Sequence, residues 1–204
     1  MQGEARAALR QARLGVPHHS AYPGRVARRS AILVVVPVAA VVVLLDQLTK
    51  AWALASIQGQ PATEVLGKWL QWSFATNSGA AFSFGRGNTW VFTLVAAVII
   101  VVVLYYTPKV TNRWWAVAMG LILGGGMGNF IDRMIRDPSI GQGHVVDFIR
   151  VPNWPIFNVA DMAVVSGAVL AVFLTLRGVD YRDRSPAERP AVAESPDDAR
   201  LSHE

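Results

Sequence analysis

Asp46, Asp132, Asp147 and Asp161 stand inside or beside long apolar stretches, with Asn129 and Asn158 close by in the sequence. An ionisable side chain within an apolar span costs roughly 2.5–3.5 kcal/mol on insertion scales, so each needs a reason. Asn129, Asp132 and Arg133 fall at i, i+3 and i+4, which projects all three from one face at the end of a helix. Arg133 can neutralise Asp132 there and still offer donors to a substrate carbonyl or a lipid phosphate. Asn158 and Asp161 repeat the device at i, i+3 in Phe157-Asn158-Val159-Ala160-Asp161. Two carboxylates held close together cannot both ionise easily and so share a proton. One can then take a proton from water while the other gives one to a peptide carbonyl. Asp147, embedded in Val145-Val146-Asp147-Phe148, and Asp161 are the best-placed pair. Asp132 is a third carboxylate that supports or competes, and an Asp132–Asp161 dyad is the alternative.

Each of these residues also has a plainer use. Asp46 and Lys50 are at i, i+4 in the favourable acid-before-base order, and a structural ion pair accounts for them. Asn158, just after Pro155, suits a helix cap, and an acid at Asp161 is favoured by the helix dipole. Gly120, Gly124 and Gly128 recur every four residues, making a bare helix face that lets a neighbour approach. Asn77-Ser78-Gly79 is ordinary turn chemistry on its own. Other catalytic schemes lack their parts. The chain has no cysteine for a thiolate metal site or a disulfide, and neither HExxH nor GxSxG occurs. His18, His19 and His203 lie in polar termini apart from His144, so a histidine metal site is not expected. Two non-hydrolytic functions fit the same residues: a proton-coupled small membrane transporter using the carboxylates as a relay, and an assembly factor that uses the glycine face.

The elements that must position these groups are apolar blocks. Hydrophobic residues make up 52% of the 204 and charged residues only 16%, well below the share in soluble domains. The blocks predict four transmembrane spans, at about 31–55, 89–106, 114–131 and 156–176. The first has a basic flank, but it is long and runs on as an amphipathic helix without a cleavage site, so it reads as an uncleaved span. Residues 1–30 and 177–204 are expected to be disordered tails. Between spans 1 and 2, Leu70 to Ala75 alternates as a half-buried strand does. The net charge of +5 comes largely from arginines that flank apolar blocks, which points to membrane topology rather than to nucleic acid. Their distribution puts both termini in the cytoplasm and segments 56–88 and 132–155 outside, although Arg133, Arg136 and Arg150 blur the signal. Asp46 and Asp161 then both sit near the outer ends of their helices.

Five stretches, taken together, resemble the bacterial lipoprotein signal peptidase (signal peptidase II) family. They are Asp46-Gln47-Leu48-Thr49-Lys50, Asn77-Ser78-Gly79-Ala80-Ala81-Phe82, Gly128-Asn129-Phe130-Ile131-Asp132-Arg133, Val145-Val146-Asp147-Phe148 and Phe157-Asn158-Val159-Ala160-Asp161. The resemblance covers about residues 44–176. It implies an all-α membrane protein of four transmembrane helices with a small extracytoplasmic β-rich cradle between spans 1 and 2. It implies an intramembrane aspartic endopeptidase that cuts diacylglyceryl-modified prolipoproteins just before the lipidated cysteine, with no metal or other cofactor. Asp147 and Asp161 would be catalytic. Asn77, Asn129, Arg133 and Asn158 would line the substrate site, with Asp132 holding Arg133 or the dyad in place and Asp46 and Lys50 in support. The expected partners are the prolipoprotein signal peptides and membrane lipids, and the expected state is a monomer in the bacterial cell membrane with its site at the extracytoplasmic face. Relative to the family, the loop Met134 to Val146 is longer and the stretch from Asp147 to Asp161 shorter.

Overall fold

A computed structural model describes residues 23–79 and 89–182. The tails before 23 and after 182 lie outside the described residues, as does the second half of the Asn77–Phe82 motif. The described chain runs as helix α1 (Pro23–Ser56), strands β1 (Thr63–Glu64) and β2 (Gln71–Asn77), helices α2 (Thr89–Tyr106) and α3 (Arg113–Ile135), strand β3 (Val145–Arg150) and helix α4 (Val159–Leu176). All four helices contain a segment long and apolar enough to cross a membrane. Even the shortest, at 18 residues, covers about 27 Å at 1.5 Å per residue. Large apolar side chains such as Leu33, Val101 and Leu176 stand out from the bundle, as lipid rather than water requires.

Helix α3 is the centre of the bundle and packs on α1, α2 and α4. Its glycines make that possible. A Cβ on Gly120 would lie 2.8 Å from Val38 Cβ, and one on Gly124 would lie 2.6 Å from Val42 Cβ. A Cβ on Gly128 would meet Asp46 Oδ2 at 2.5 Å. The bare face therefore lies against α1 and brings Asp46 close to Gly128 of α3. Gly125 makes the matching close approach to Ala160 and Val164 of α4, and Gly167 of α4 approaches Ala118 of α3.

The spans fall close to their sequence boundaries, but ordered structure extends further at both ends. Helix α1 begins at Pro23, ahead of the expected start at Ala31, because proline is well tolerated in a first turn. Residues 177–182, expected to belong to a disordered tail, fold back on the start of α3. Gly178, at φ +67°, ends α4, after which Trp115 Nε1 donates to Val179 O (2.9 Å) and Thr111 N to Tyr181 O (2.9 Å). Tyr181 packs on the buried cluster around Val110 and Ala116.

The cradle also differs from expectation in its source. It is a three-stranded antiparallel sheet in the order β1-β2-β3, so its inner strand β2 pairs with a strand from the segment between α3 and α4. That strand carries Asp147. Val145 to Ile149 are buried on both faces, because the C-terminal end of α1 covers β3 with Ala53, Leu54 and Ile57 while Trp72 and Phe74 of β2 join the same cluster. Trp52, Trp72 and Phe148 meet at centroid distances of 5.5–6.0 Å. A strand buried on both sides reads as a short apolar run without alternation, which is why Val145-Val146-Asp147-Phe148 looked like a loop segment.

Candidate active site

Antiparallel register sets the first contact. Ala75 pairs with Asp147 and Asn77 with Val145, so Asn77 and Asp147 share a face as diagonal neighbours. Asn77 Nδ2 donates to Asp147 Oδ2 at 3.0 Å. The amide is pinned the right way round because Asn77 Oδ1 accepts the Gly79 N–H at 2.8 Å, and Gly79 supplies the positive φ (+86°) of that turn.

The chain then doubles back after β3. Phe157 exchanges backbone hydrogen bonds with Ile149 and accepts one from Phe148, which lays Asn158 beside Asp147. Asn158 Nδ2 donates to Asp147 Oδ1 at 2.6 Å. Asn158 is also the N-cap of α4: its Oδ1 accepts from Asp161 N (3.0 Å) while its own N–H donates to Asp161 Oδ2 (3.1 Å), a reciprocal capping box. One buried asparagine thus holds Asp147 with its side chain and Asp161 with its backbone. From α3, Asn129 Nδ2 donates to the other oxygen of Asp161, Oδ1, at 2.8 Å. Asp147 is 2% exposed. Burial and then the charge of Asp161 raise its pKa to about 7, against the opposing pull of the Asn77 and Asn158 donors and the Lys50 charge.

A second polar cluster lies directly beneath. Lys50 is fully buried and its Nζ lies 2.8 Å from Asp46 Oδ2, 2.8 Å from Asp132 Oδ2 and 3.0 Å from Asn129 Oδ1. Arg136 Nε donates to Asp132 Oδ1 at 2.8 Å. Asp132 Oδ2 also accepts the Val146 N–H, which ties β3 to α3, and Asp46 Oδ1 accepts the Ala160 N–H, one of the orphan donors of the α4 first turn. Gln47 Nε2 reaches Asp46, Asp132 and the Gly128 carbonyl. The expected Asp46–Lys50 pair is present, but the expected neutralisation of Asp132 by Arg133 is not. Adjacent helical residues point about 100° apart, so Arg136, one turn on, takes the role instead. The i+4 spacing of Arg136 from Asp132 is the sequence signal that finds this pair.

Arg133 turns the other way. It is 7% exposed, its Nε has no hydrogen-bond partner among the described residues, and its guanidinium stands over the Phe92 ring at 5.9 Å. The acids whose charge it feels include Asp147, Asp161 and Asp132. Together with Asn129, Asp161, Phe92, Ile122 and Gly126 it lines a cavity of about 280 Å³ between α2, α3 and α4. A second cavity of about 330 Å³, walled by Val151, Trp154, Phe157, Met162 and Val165, also has Asp161 in its lining. All nine residues singled out from the sequence therefore lie at one end of the bundle, with Asp147 and Asp161 facing amide donors and Asp46, Lys50 and Asp132 forming an ion-pair lattice below. Chemically, the upper group offers an acid that keeps a proton near neutral pH, a second carboxylate, and apolar space for a substrate on both sides.

Comparison with known proteins points to one family. Residues 38–177 match the family described as signal peptidase (SPase) II. A lipoprotein signal peptidase of Mycolicibacterium smegmatis is 43% identical over 181 residues, covering 88% of this chain and 75% of that protein. One from Mycobacterium avium is 47% identical over 145 residues, covering 71% and 79%. A bacterial membrane enzyme solved by the in meso method at 1.9 Å resolution superposes with a TM-score of 0.63 at 30% identity, over 70% of this chain and 92% of that one. A match across most of the chain, with the same four-span fold, makes this protein a member of the signal peptidase II family of bacterial membrane peptidases.

Proposed function

We propose that this chain is an intramembrane aspartic endopeptidase that removes signal peptides from diacylglyceryl-modified prolipoproteins, cutting before the lipidated cysteine, with Asp147 and Asp161 as its catalytic pair. The observation that carries this is Asn158, which hydrogen-bonds Asp147 and Asp161 at once and so holds a buried and a half-buried carboxyl in one site. Asp132 is the weaker candidate for the dyad, since Lys50 and Arg136 already occupy its oxygens. In the resting site Asp147 carries the proton, in keeping with its raised pKa. Asp161 accepts a proton from water as the water oxygen attacks the scissile carbonyl carbon, and Asp147 gives its proton to the carbonyl oxygen. When the tetrahedral intermediate collapses, the C–N bond breaks, the amine nitrogen leaves with the proton from Asp161, and Asp147 recovers its own.

The remaining site residues bind and orient. Asn77, Asn129 and Asn158 hold the two carboxyls, and Arg133, buried with an unused N–H, is placed to donate to a backbone carbonyl of the substrate. Because Asp161 lines both cavities, an apolar peptide in one and acyl chains in the other would bring the bond between them near that carboxyl. The enzyme acts as a monomer at the extracytoplasmic face, with both termini in the cytoplasm; the arginine-rich N-terminal flank supports this orientation. A proton relay through the membrane gains no support, since the acids gather at one end of the helices.

The test is incubation of the purified protein in lipid with a diacylglyceryl-modified precursor peptide and with its unlipidated twin. Mass spectrometry should find the lipidated cysteine as a new N-terminus from the first and no product from the second. Cleavage of neither, by folded protein, would remove the proposal.

A further inference from the structure

The Lys50 ammonium has three protons and three partners: Asp46, Asp132 and the Asn129 carbonyl oxygen. The first closes within α1, and the second ties α1 to α3. The third does something else, because the far end of the Asn129 amide donates to Asp161. An ammonium can only donate, so it admits only the carbonyl end of Asn129 and turns the NH₂ end towards Asp161. The reverse orientation would set a carbonyl oxygen against a carboxylate. Asn158 cannot enforce this alone. Its Nδ2 has two protons and three acceptors, namely Asp147 Oδ1 at 2.6 Å, Asn129 Oδ1 at 3.1 Å and Val146 O at 3.3 Å, and the carboxyl is the closest of them. Lys50 supplies what Asn158 lacks.

Resting on the dyad reading above, we infer that Lys50 is a positioning residue for catalysis: through Asn129 it orients the donor on Asp161 and sets the pH range over which the pair works. Among the described residues, the charged groups facing the pair are few. Lys50 comes from α1 and Arg133 from α3, while Asp46 and Asp132 turn onto Lys50; β2 presents the neutral Asn77 and α2 the neutral Phe92. The Lys50 charge also draws the Asp147 carboxyl down from where burial would put it. Removing that cation makes loss of protons from the pair harder, so both limbs of the pH–rate profile move to higher pH.

Lys50→Met alone strands two buried acids. The test therefore uses Lys50→Met with Asp46→Asn, which keeps the lattice neutral beside Asp132 and Arg136 and leaves an oxygen for the Ala160 N–H. Lys50→Gln with Asp46→Asn is the second variant, and Asn129→Ala keeps both ion pairs. The first variant should lower kcat about tenfold or more with KM little changed and move the profile up by about one pH unit. In an Asn129→Ala background the Lys50 change should move it by less, since only the direct pull of the Lys50 charge on Asp147 remains. Gly124→Ala, which disturbs the same α1–α3 contact without touching a charge, should leave the profile in place. A folded Lys50 variant with the wild-type profile would overturn the inference. So would Asn129→Ala with the wild-type profile, whether or not any Lys50 variant folds. If Asp147→Asn and Asp161→Asn are inactive while these profiles stay fixed, only the role of Lys50 falls; if those two stay active, the dyad itself falls.

Discussion

Asp46 and Asp132 are as deeply buried as Asp147, but the two groups are built differently. In the lower lattice each acid touches a cation, Lys50 serving both and Arg136 adding a second contact to Asp132, so two negative charges meet two positive ones. In the upper site the two carboxyls are held by the amides of Asn77, Asn129 and Asn158 and by one backbone N–H. Amides satisfy hydrogen-bonding capacity without cancelling charge. A matched lattice braces helices. An unmatched pair keeps a proton, and that is the requirement for acid–base chemistry. Burial alone does not separate the two; the sign of the partners does.

The sharpest way to break this contrast is to neutralise one acid in the upper site. Asp147→Asn or Asp161→Asn should cut precursor cleavage by about 100-fold or more with thermal unfolding in detergent still cooperative. Retained activity in either variant would move that residue out of the pair. The lattice should respond in the opposite currency. Lys50→Met alone should cost about 3–5 kcal/mol of stability, because two buried acids lose their shared cation, and unfolding curves would register it as a large drop in midpoint. An unchanged midpoint would mean the lattice is not what braces α1 against α3.

Stability against pH should separate the two groups further. Asp147 has a folded pKa raised from 3.8 to about 7, so its burial is tolerated fully below pH 3.8 and becomes progressively more costly as pH rises to about 7. The Asp147→Asn protein should therefore gain on wild type across that window, by on the order of a few kcal/mol, and no further above it. A constant difference across pH would show that Asp147 is already ionised. The smallest effects come from glycines on α3. Gly124→Ala places a Cβ 2.6 Å from Val42 and should cost about 1–3 kcal/mol by overpacking. At Gly126, where the nearest atom to a Cβ is Ile100 Cγ1 at 3.7 Å, alanine should be neutral within about 1 kcal/mol.

Much of this was legible in the chain, and the exceptions have physical causes. The spans announce themselves because lipid demands long apolar runs, and α2 ends at Tyr106, where its apolar run stops. The Asn158 cap and the Asp46–Lys50 pair follow from spacing within a helix. What spacing could not reveal was long-range. That β3 completes the sheet depends on pairing with residues some seventy positions earlier, as the Asn77–Asp147 contact shows. That Lys50 reaches past Asp46 to Asp132 and Asn129 depends on how closely the glycine face lets α1 approach α3. The swap of Arg133 for Arg136 as the partner of Asp132 turned on a helical angle that was available but unused.

Infrared difference spectroscopy of the purified protein, titrated from pH 5 to pH 9 (roughly two units either side of the Asp147 pKa), tests most directly whether the upper pair holds a proton. The account predicts a protonated-carboxyl band at the acid end that fades as pH rises through about 7 and is missing from Asp147→Asn. Wild-type and Asp147→Asn spectra that coincide throughout would contradict it.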